Sequence, residues 1–321
     1  MLADVIITED VWGRPFEILR EKLVVARQPS AWRSSELLPQ VLAGARAVVV
    51  RNRTQVTEEV LAQCPALRVV ARAGVGLDNI DVRAADSRGV VVVAALGANA
   101  VSVAEHSLGL AVALARGMLP LDRSTRSGRW DRTPGLELAG RTWGLLGAGA
   151  TGRACARLAR AFEMEVLAYD PYISPQHPEI AELGIRLVDL EEVARGADVI
   201  SCHLPATAET MGLIGAEFLA VTRPNALLIN VGRGEVVDED ALADALDAGQ
   251  LGGAALDVRE TEPPVPGRLE RMDNVILTPH VAGITDESQG RILTILAEDI
   301  TTVLSGGAAR YAVGAVRGGE A

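Results

Sequence analysis

Three polar residues stand directly beyond three apolar runs in the last third of the chain: Arg233 after ALLINV, Glu262 after AALDV and His280 after VILTP. If the runs are parallel strands of one sheet, all three side chains leave from its carboxyl edge, where α/β proteins bind ligands. A guanidinium, a carboxylate and an imidazole suit hydride transfer at a keto acid. The arginine fork holds a carboxylate and polarises a carbonyl. Histidine exchanges a proton with the reacting oxygen near working pH, and a nearby carboxylate favours the charged ring and orients it. Taken singly, each has a plainer reading. Arg233 could be a loop arginine between Gly232 and Gly234, Glu262 one more solvated acid beside Glu260, and His280 a strand cap. Their joint placement argues for chemistry. Among the other histidines, His106 lies in a helical stretch and His177 in a polar loop; His203, ending a strand before Pro205, ranks second as a base.

A second motif supplies the hydride's partner. Gly147-Ala148-Gly149-Ala150-Thr151-Gly152 follows an apolar strand and opens a helix, and Asp170 closes the next strand. In that context the first glycine permits a tight turn, the second lets a pyrophosphate approach the backbone, and the third allows close helix–strand packing. Ala150 and Thr151 then present amides at the helix start. The Asp170 carboxylate suits a ribose diol and repels a 2′-phosphate, with no compensating base in Pro171-Tyr172, so the cofactor is expected to be NAD.

Positioning these groups requires strands and helices in alternation, and the chain shows them throughout, the α/β signature. Strands are expected at 4–8, 47–50, 67–71 and 90–94, then a long helix at 100–119 ended near Pro120. The middle of the chain is expected to hold strands at 142–146, 166–169, 185–188, 198–203, 226–231, 254–258 and 275–278. Helices alternate with them near 151–162, 190–195, 216–221 and 240–248. A final amphipathic helix near 287–304 is too short for a domain and is read as returning to the first lobe. This gives a discontinuous substrate/catalytic domain, 1–99 and 285–321, around a nucleotide-binding domain, 100–284. The glycine-rich tail from Gly306 is expected to be poorly ordered.

Composition narrows the class. The chain has 321 residues, enough for two domains, with 49% hydrophobic and 23% charged residues, which excludes disordered and fibrous classes. A net charge of −11 without Lys/Arg clusters argues against nucleic acid or anionic membrane as partner. Aromatic residues at 3% argue against base-stacking surfaces. No apolar run is long enough to span a bilayer, and the start MLADVIITED has acids where a signal peptide has bases, so a cytoplasmic location is expected. Cys64, Cys155 and Cys202 lack metal-ligand spacing and lie in apolar surroundings; buried thiols are expected, with no disulfide and no metal.

With these residues assembled, the chain resembles the D-isomer-specific 2-hydroxyacid dehydrogenases, a family that includes D-3-phosphoglycerate dehydrogenase. The likeness runs from Arg72-Ala-Gly-Val-Gly-Leu-Asp-Asn-Ile-Asp81 through the glycine loop to Pro279-His280. It implies a Rossmann NAD-binding domain inserted into a flavodoxin-like catalytic domain, both doubly wound parallel sheets. It assigns substrate carboxylate to Arg233, support of the base to Glu262 as the acid directly before Pro263, and acid/base work to His280. It also implies substrate contacts from the backbone at Val75 and Gly76. For the cofactor it implies Asp257 at the nicotinamide carboxamide, with His203, Pro205 and Thr207 alongside, and Val231, Gly232 and Gly283 are expected to line the same site. A homodimer made largely through the nucleotide lobe is implied as well. The family's usual aromatic after Asp257-Val258 is Arg259 here, and the regulatory extension of some phosphoglycerate enzymes is not seen.

The substrate is expected to be a small anionic D-2-hydroxyacid or 2-keto acid. Arg51 and Arg53 in Arg51-Asn-Arg-Thr54, with Arg72, could hold a second anion such as phosphate, sulfonate or carboxylate, or could be solvated surface residues. Two other readings share the scaffold. One is a phosphite dehydrogenase-like oxidoreductase; the formate version is disfavoured because those enzymes carry glutamine where Glu262 stands. The other is an NAD-sensing corepressor-like binding protein.

Overall fold

The computed structural model describes residues 3–34 and 36–319, which fall into two compact units, one up to Asn99 together with Thr285 onward and one from Ala100 to Ile284. The first begins β1 (Val5–Ile7), α1 (Arg14–Leu19), β2 (Val25–Arg27), α2 (Leu37–Leu42) and β3 (Ala47–Val50). It continues with α3 (Glu58–Ala62), β4 (Val69–Arg72), α4 (Val82–Ser87) and β5 (Val91–Ala94). These strands form one parallel sheet in the order β2-β1-β3-β4-β5, the flavodoxin-like order whose switch point lies between β1 and β3. Successive residues feed opposite faces. Val5, Ile7, Val49, Ala71 and Val93 join one core, and Ile6, Val48, Val50, Val70 and Val92 the other, which is why the strands read as unbroken Val/Ile/Ala runs. The short β2 was not expected.

The second unit opens with α5 (Ala100–Ala115) and α6 (Met118–Arg126). The single helix expected to stop at Pro120 is therefore two. Gly117 breaks it with φ 55, a left-handed conformation that suits glycine, and Pro120 falls in the first turn of α6, where a missing N–H costs nothing. There follow β6 (Thr142–Leu146), α7 (Ala150–Ala161), β7 (Glu165–Tyr169), α8 (Pro178–Glu182), β8 (Arg186–Leu187), α9 (Leu190–Gly196) and β9 (Val199–Cys202). Next come α10 (Ala216–Ala220), β10 (Ala226–Asn230), α11 (Glu239–Asp247), β11 (Leu251–Leu256) and β12 (Val275–Leu277). The seven parallel strands run β12-β11-β10-β9-β6-β7-β8. In order of occurrence within the unit that is 7-6-5-4-1-2-3, the doubly wound nucleotide-binding arrangement with its switch between β6 and β9. The expected fold class is the observed one: two doubly wound parallel-sheet domains.

The last helix, α12 (Asp286–Leu304), starts from a capping box between Thr285 and Ser288 and buries Ile292, Leu293, Leu296, Ile300 and Val303 in the first unit's core with Phe16 and Leu19 of α1. The tail beyond Gly306 is not loose as expected. Asp299 accepts the backbone N–H groups of Arg310 (3.0 Å) and Tyr311 (2.8 Å), and Asp86 accepts those of Ala315 (3.0 Å) and Val316 (3.1 Å). These four bonds tie residues 310–316 to the unit; residues 320 and 321 lie outside the described residues. Among the described residues no helix is long and apolar enough to cross a membrane.

Candidate active site

The glycine loop leaves β6 at the switch point of the second sheet. Gly147 has φ 97, which disfavours any side chain, and a Cβ on it would lie 3.3 Å from the His203 carbonyl oxygen. A Cβ on Gly152 would lie 2.1 Å from the Gly147 oxygen, so α7 reaches its seat only with glycine there. Around Gly149, by contrast, a Cβ would meet nothing within 4 Å, so that side of the loop is open. Gly149 caps α7 without a side-chain hydrogen bond, leaving the first amides of the helix, from Ala150 and Thr151 onward, for an anion. Asp170 follows β7 directly, accepting the Ala148 N–H (2.8 Å) and the Tyr172 N–H (2.9 Å) on separate oxygens. Each oxygen keeps a lone pair for a diol. Arg153, from the first turn of α7, donates to the Ala148 carbonyl (2.9 Å) and to Glu179 (2.7 Å), bracing the loop from behind.

Beneath this loop runs a buried polar chain that sequence reading missed. The Trp143 indole N–H donates to Ser201 Oγ (2.8 Å), which is hydrogen-bonded to His203 Nε2 (2.9 Å). His203 Nδ1 is buried with no protein partner. Burial holds the His203 pKa down to about 4, so the ring is neutral and is a poor reserve base. The loop after it is closed by Thr210, whose hydroxyl donates to the Pro205 carbonyl (2.6 Å) and accepts the Thr207 N–H (2.8 Å). The open glycine cradle, the uncapped helix start and this orphaned ring nitrogen fit a dinucleotide.

The three strand-end residues occupy one region of the same edge. Arg233 follows β10, whose neighbours are β9 and β11. Its flanking glycines are there for close approach: a Cβ on Gly232 would sit 2.7 Å from the Leu204 oxygen, and one on Gly234 1.9 Å from the Arg259 carbonyl carbon. The Asn230 side chain fastens the turn, donating to the Arg233 carbonyl (2.8 Å) and accepting the Gly232 N–H (3.1 Å). The Arg233 guanidinium donates to the Gly232 carbonyl (2.9 Å).

His280 and Glu262 meet directly, His280 Nδ1 to Glu262 Oε2 at 2.8 Å, with both side chains partly exposed. Glu262 Oε1 also accepts the Arg259 N–H (3.2 Å). The turn carrying His280 is set from below. His280 has φ 55, unusual for a non-glycine residue, and its N–H donates to the Asp257 carbonyl (2.7 Å). The Asp257 carboxylate, 1% exposed, accepts the Thr278 hydroxyl (2.5 Å) and the N–H groups of Val281 (2.9 Å) and Ala282 (2.8 Å). Asp257, which the resemblance assigns to a carboxamide, is thus engaged inside the fold, holding the turn that presents His280 and leads to Gly283. His106 is half-buried on α5, with Nε2 3.1 Å from Thr278 Oγ1 and 3.6 Å from Asp257 Oδ1, and is part of this support.

In the first unit the loop after β3 holds Arg51 and Arg53. Glu9, directly after β1, is 4% exposed and turns its carboxylate into the loop, accepting N–H from Arg51 (2.8 Å), Asn52 (3.3 Å), Arg53 (3.1 Å) and Thr54 (3.0 Å). Burial alone would raise the Glu9 pKa; the amides of Thr54, Arg51 and Arg53 together outweigh it and leave it lowered. Two arginine stems thereby stand on a rigid base at that sheet's switch point, with the Arg53 guanidinium 4.8 Å from the centre of the Trp32 ring. Arg72 differs. It is 8% exposed, donates through Nε to Asn79 (3.2 Å), and lays Nη1 where a Cβ on Gly74 would be. Its side chain packs against the backbone at Gly74, before Val75 and Gly76, whereas Arg51 and Arg53 leave the loop after β3.

Residues 108–282, more than half of the chain, match the model of the D-isomer specific 2-hydroxyacid dehydrogenase NAD-binding domain. The chain belongs to the D-isomer specific 2-hydroxyacid dehydrogenase family. It is 40% identical over 312 residues to D-3-phosphoglycerate dehydrogenase of Archaeoglobus fulgidus, covering 96% of this chain and 59% of that one. The chain thus spans about three-fifths of the length of that relative, and about half of a mycobacterial one. Among solved structures, a Thermus thermophilus protein superposes with TM-score 0.88 at 32% identity, covering 96% of this chain and 99% of that one. D-Lactate dehydrogenase of Aquifex aeolicus, solved with NAD and lactic acid, gives 0.82 at 28%, covering 94% and 95%. The second unit is an NAD-binding domain. Cys64, Cys155 and Cys202 are free and buried, and burial lifts the latter two thiols to about 12. Among the described residues no group of three or more His, Cys, Asp or Glu side chains could hold a metal.

Proposed function

We propose that the protein interconverts a D-2-hydroxyacid and the 2-keto acid with NAD(H), and that Arg233, Glu262 and His280 do the work. The observation that carries this is the 2.8 Å contact between His280 Nδ1 and Glu262, at the same strand edge as the glycine loop. With Nδ1 held by the carboxylate, Nε2 is the nitrogen left to meet substrate. NAD held at the glycine loop would supply the hydride acceptor for C2 in oxidation, and NADH the hydride donor in reduction. In reduction the imidazolium donates its Nε2 proton to the carbonyl oxygen; in oxidation the neutral ring accepts the hydroxyl proton. Arg233 holds the substrate carboxylate and draws electron density from the carbonyl. Glu262 fixes the ring's orientation and offsets its charge.

For the cofactor we assign Gly147, Gly149, Ala150, Thr151 and Gly152 to the phosphates and Asp170 to the ribose. His203, Pro205, Thr207, Val231, Gly232, Asp257 and Gly283 flank or support it. For the substrate we assign the Val75 and Gly76 backbone to the carboxylate and Arg51 and Arg53 to a second anionic group of a phosphoglycerate-like or sulfolactate-like acid. A second copy of the chain is the proposed partner, supported by apolar surface on the nucleotide unit: Trp130 is 80% exposed, and Met118, Leu119 and Leu136 are exposed as well. Three buried unpaired thiols suit a reducing, cytoplasmic compartment. Steady-state assays with NADH and pyruvate, hydroxypyruvate, phosphohydroxypyruvate and sulfopyruvate test the reading. Turnover of at least one keto acid is expected, with His280→Gln losing kcat about 10²-fold or more while binding NADH. Turnover of none, or full turnover in the variant, overturns it.

A further inference from the structure

Arg259 follows β11 by three residues, and its surroundings give it a defined task. Its side chain is 9% exposed and makes the centre of a three-residue ion cluster. Nε and Nη2 form a fork onto Glu239 (2.9 and 2.7 Å), the first residue of α11, and Nη1 reaches Glu270 (2.6 Å) in the turn before β12. The two acids grip backbone in turn, Glu239 accepting the Glu260 N–H (3.0 Å) and Glu270 the Gly267 N–H (2.6 Å). An aromatic ring here would leave two half-buried carboxylates facing one another without a cation, and lysine lacks the planar fork.

Two links run from this cluster to the redox residues. The Arg259 N–H donates to Glu262 Oε1, whose other oxygen receives His280 Nδ1. The Arg259 carbonyl lies against Gly234, next to Arg233. Asp257 and His106 lie beneath the turn that presents His280.

We propose that Arg259 is a positioning residue for the Glu262–His280 pair, its ion cluster with Glu239 and Glu270 fixing the loop from which Glu262 reaches the imidazole. The inference rests on the functional reading above. The test is a double-mutant cycle on kcat for keto-acid reduction, using Arg259→Met, Glu262→Gln and the double variant, with NADH affinity followed by fluorescence titration. Arg259→Met is expected to lower kcat about tenfold with NADH affinity within about twofold, and Glu262→Gln about 10²-fold. The double variant is expected to stay within about twofold of Glu262→Gln, because a residue acting through Glu262 has nothing further to lose once the carboxylate is gone. If the Arg259→Met loss is undiminished in the Glu262→Gln background, or Arg259→Met leaves kcat intact, the proposal is overturned. If Arg259→Met does not fold, Glu239→Gln enters the same cycle with the same criteria. Full kcat in Glu262→Gln overturns the functional reading itself; independent losses on a deficient Glu262→Gln overturn only the role of Arg259.

Discussion

Gly234→Ala tests how closely the two loops bearing Arg233 and Glu262 are matched. A methyl group there would stand 1.9 Å from the Arg259 carbonyl carbon and 2.0 Å from its oxygen, both backbone atoms that cannot swing aside. Non-bonded carbons pack at about 3.5–4 Å, so the loops must part by at least about 1 Å. Such overpacking costs about 1–3 kcal/mol of stability. A 1 Å misplacement at a reacting site costs about 10²-fold in rate. Thermal unfolding and steady-state kinetics of Gly234→Ala are therefore expected to show a moderate loss of Tm and a fall in kcat of about 10²-fold. Gly252→Ala is the control. Its methyl group would lie 2.7 Å from the Asn225 oxygen at the opposite edge of the same sheet, so Tm falls while kcat stays. If Gly234→Ala keeps full kcat, or Gly252→Ala loses as much, the argument that glycine here sets loop register for catalysis is refuted.

Asp170→Ala removes the charge that repels a 2′-phosphate, so the ratio of kcat/KM for NADPH over NADH is expected to rise by about tenfold or more; an unchanged ratio contradicts the assigned role. Arg51→Ala and Arg53→Ala should each raise KM for phosphohydroxypyruvate or sulfopyruvate far more than for pyruvate, since Glu9 holds their backbone in either case; equal losses on both substrate types discard the second-anion site. His203 carries a pH signature in stability. Its folded pKa of about 4 lies below the 6.5 of a free histidine, so its stabilising contribution is full above about pH 6.5. As pH falls toward 4 the unfolded chain takes up a proton that the folded one refuses, a loss on the order of 2 kcal/mol by pH 4.5. Urea midpoints at pH 7 and 4.5 should therefore fall less with acidification in His203→Gln than in the parent, and identical slopes would contradict the buried neutral ring.

Much of this molecule is legible in one dimension because its strands are buried on both faces. Ala47–Val50 and Thr142–Leu146 stand where apolar runs put them, and the glycine loop reads clearly because its three glycines keep a fixed spacing between a strand and a helix. The helix break at Gly117 was hidden by Pro120, a residue that stops helices in their interior and is tolerated in their first turn. The tail was misread because its order comes from Asp86 and Asp299, carboxylates on α4 and α12 that composition cannot connect to it.

The types and order of the proposed reacting groups, the parallel sheets and the acid proposed for the ribose are legible in the amino-acid sequence alone, since each follows from local periodicity or from what a functional group can do. What holds those groups in place belongs to the tertiary structure. Glu9 under the 51–54 amides, Asp257 beneath the His280 turn, Trp143 on Ser201 behind His203, and Glu239 with Glu270 around Arg259 join residues 11 to 58 positions apart in the chain. A one-dimensional pattern shows that an acid is present; only folding decides which amide or guanidinium is within about 3 Å of it, and at that range the hydrogen bond acts.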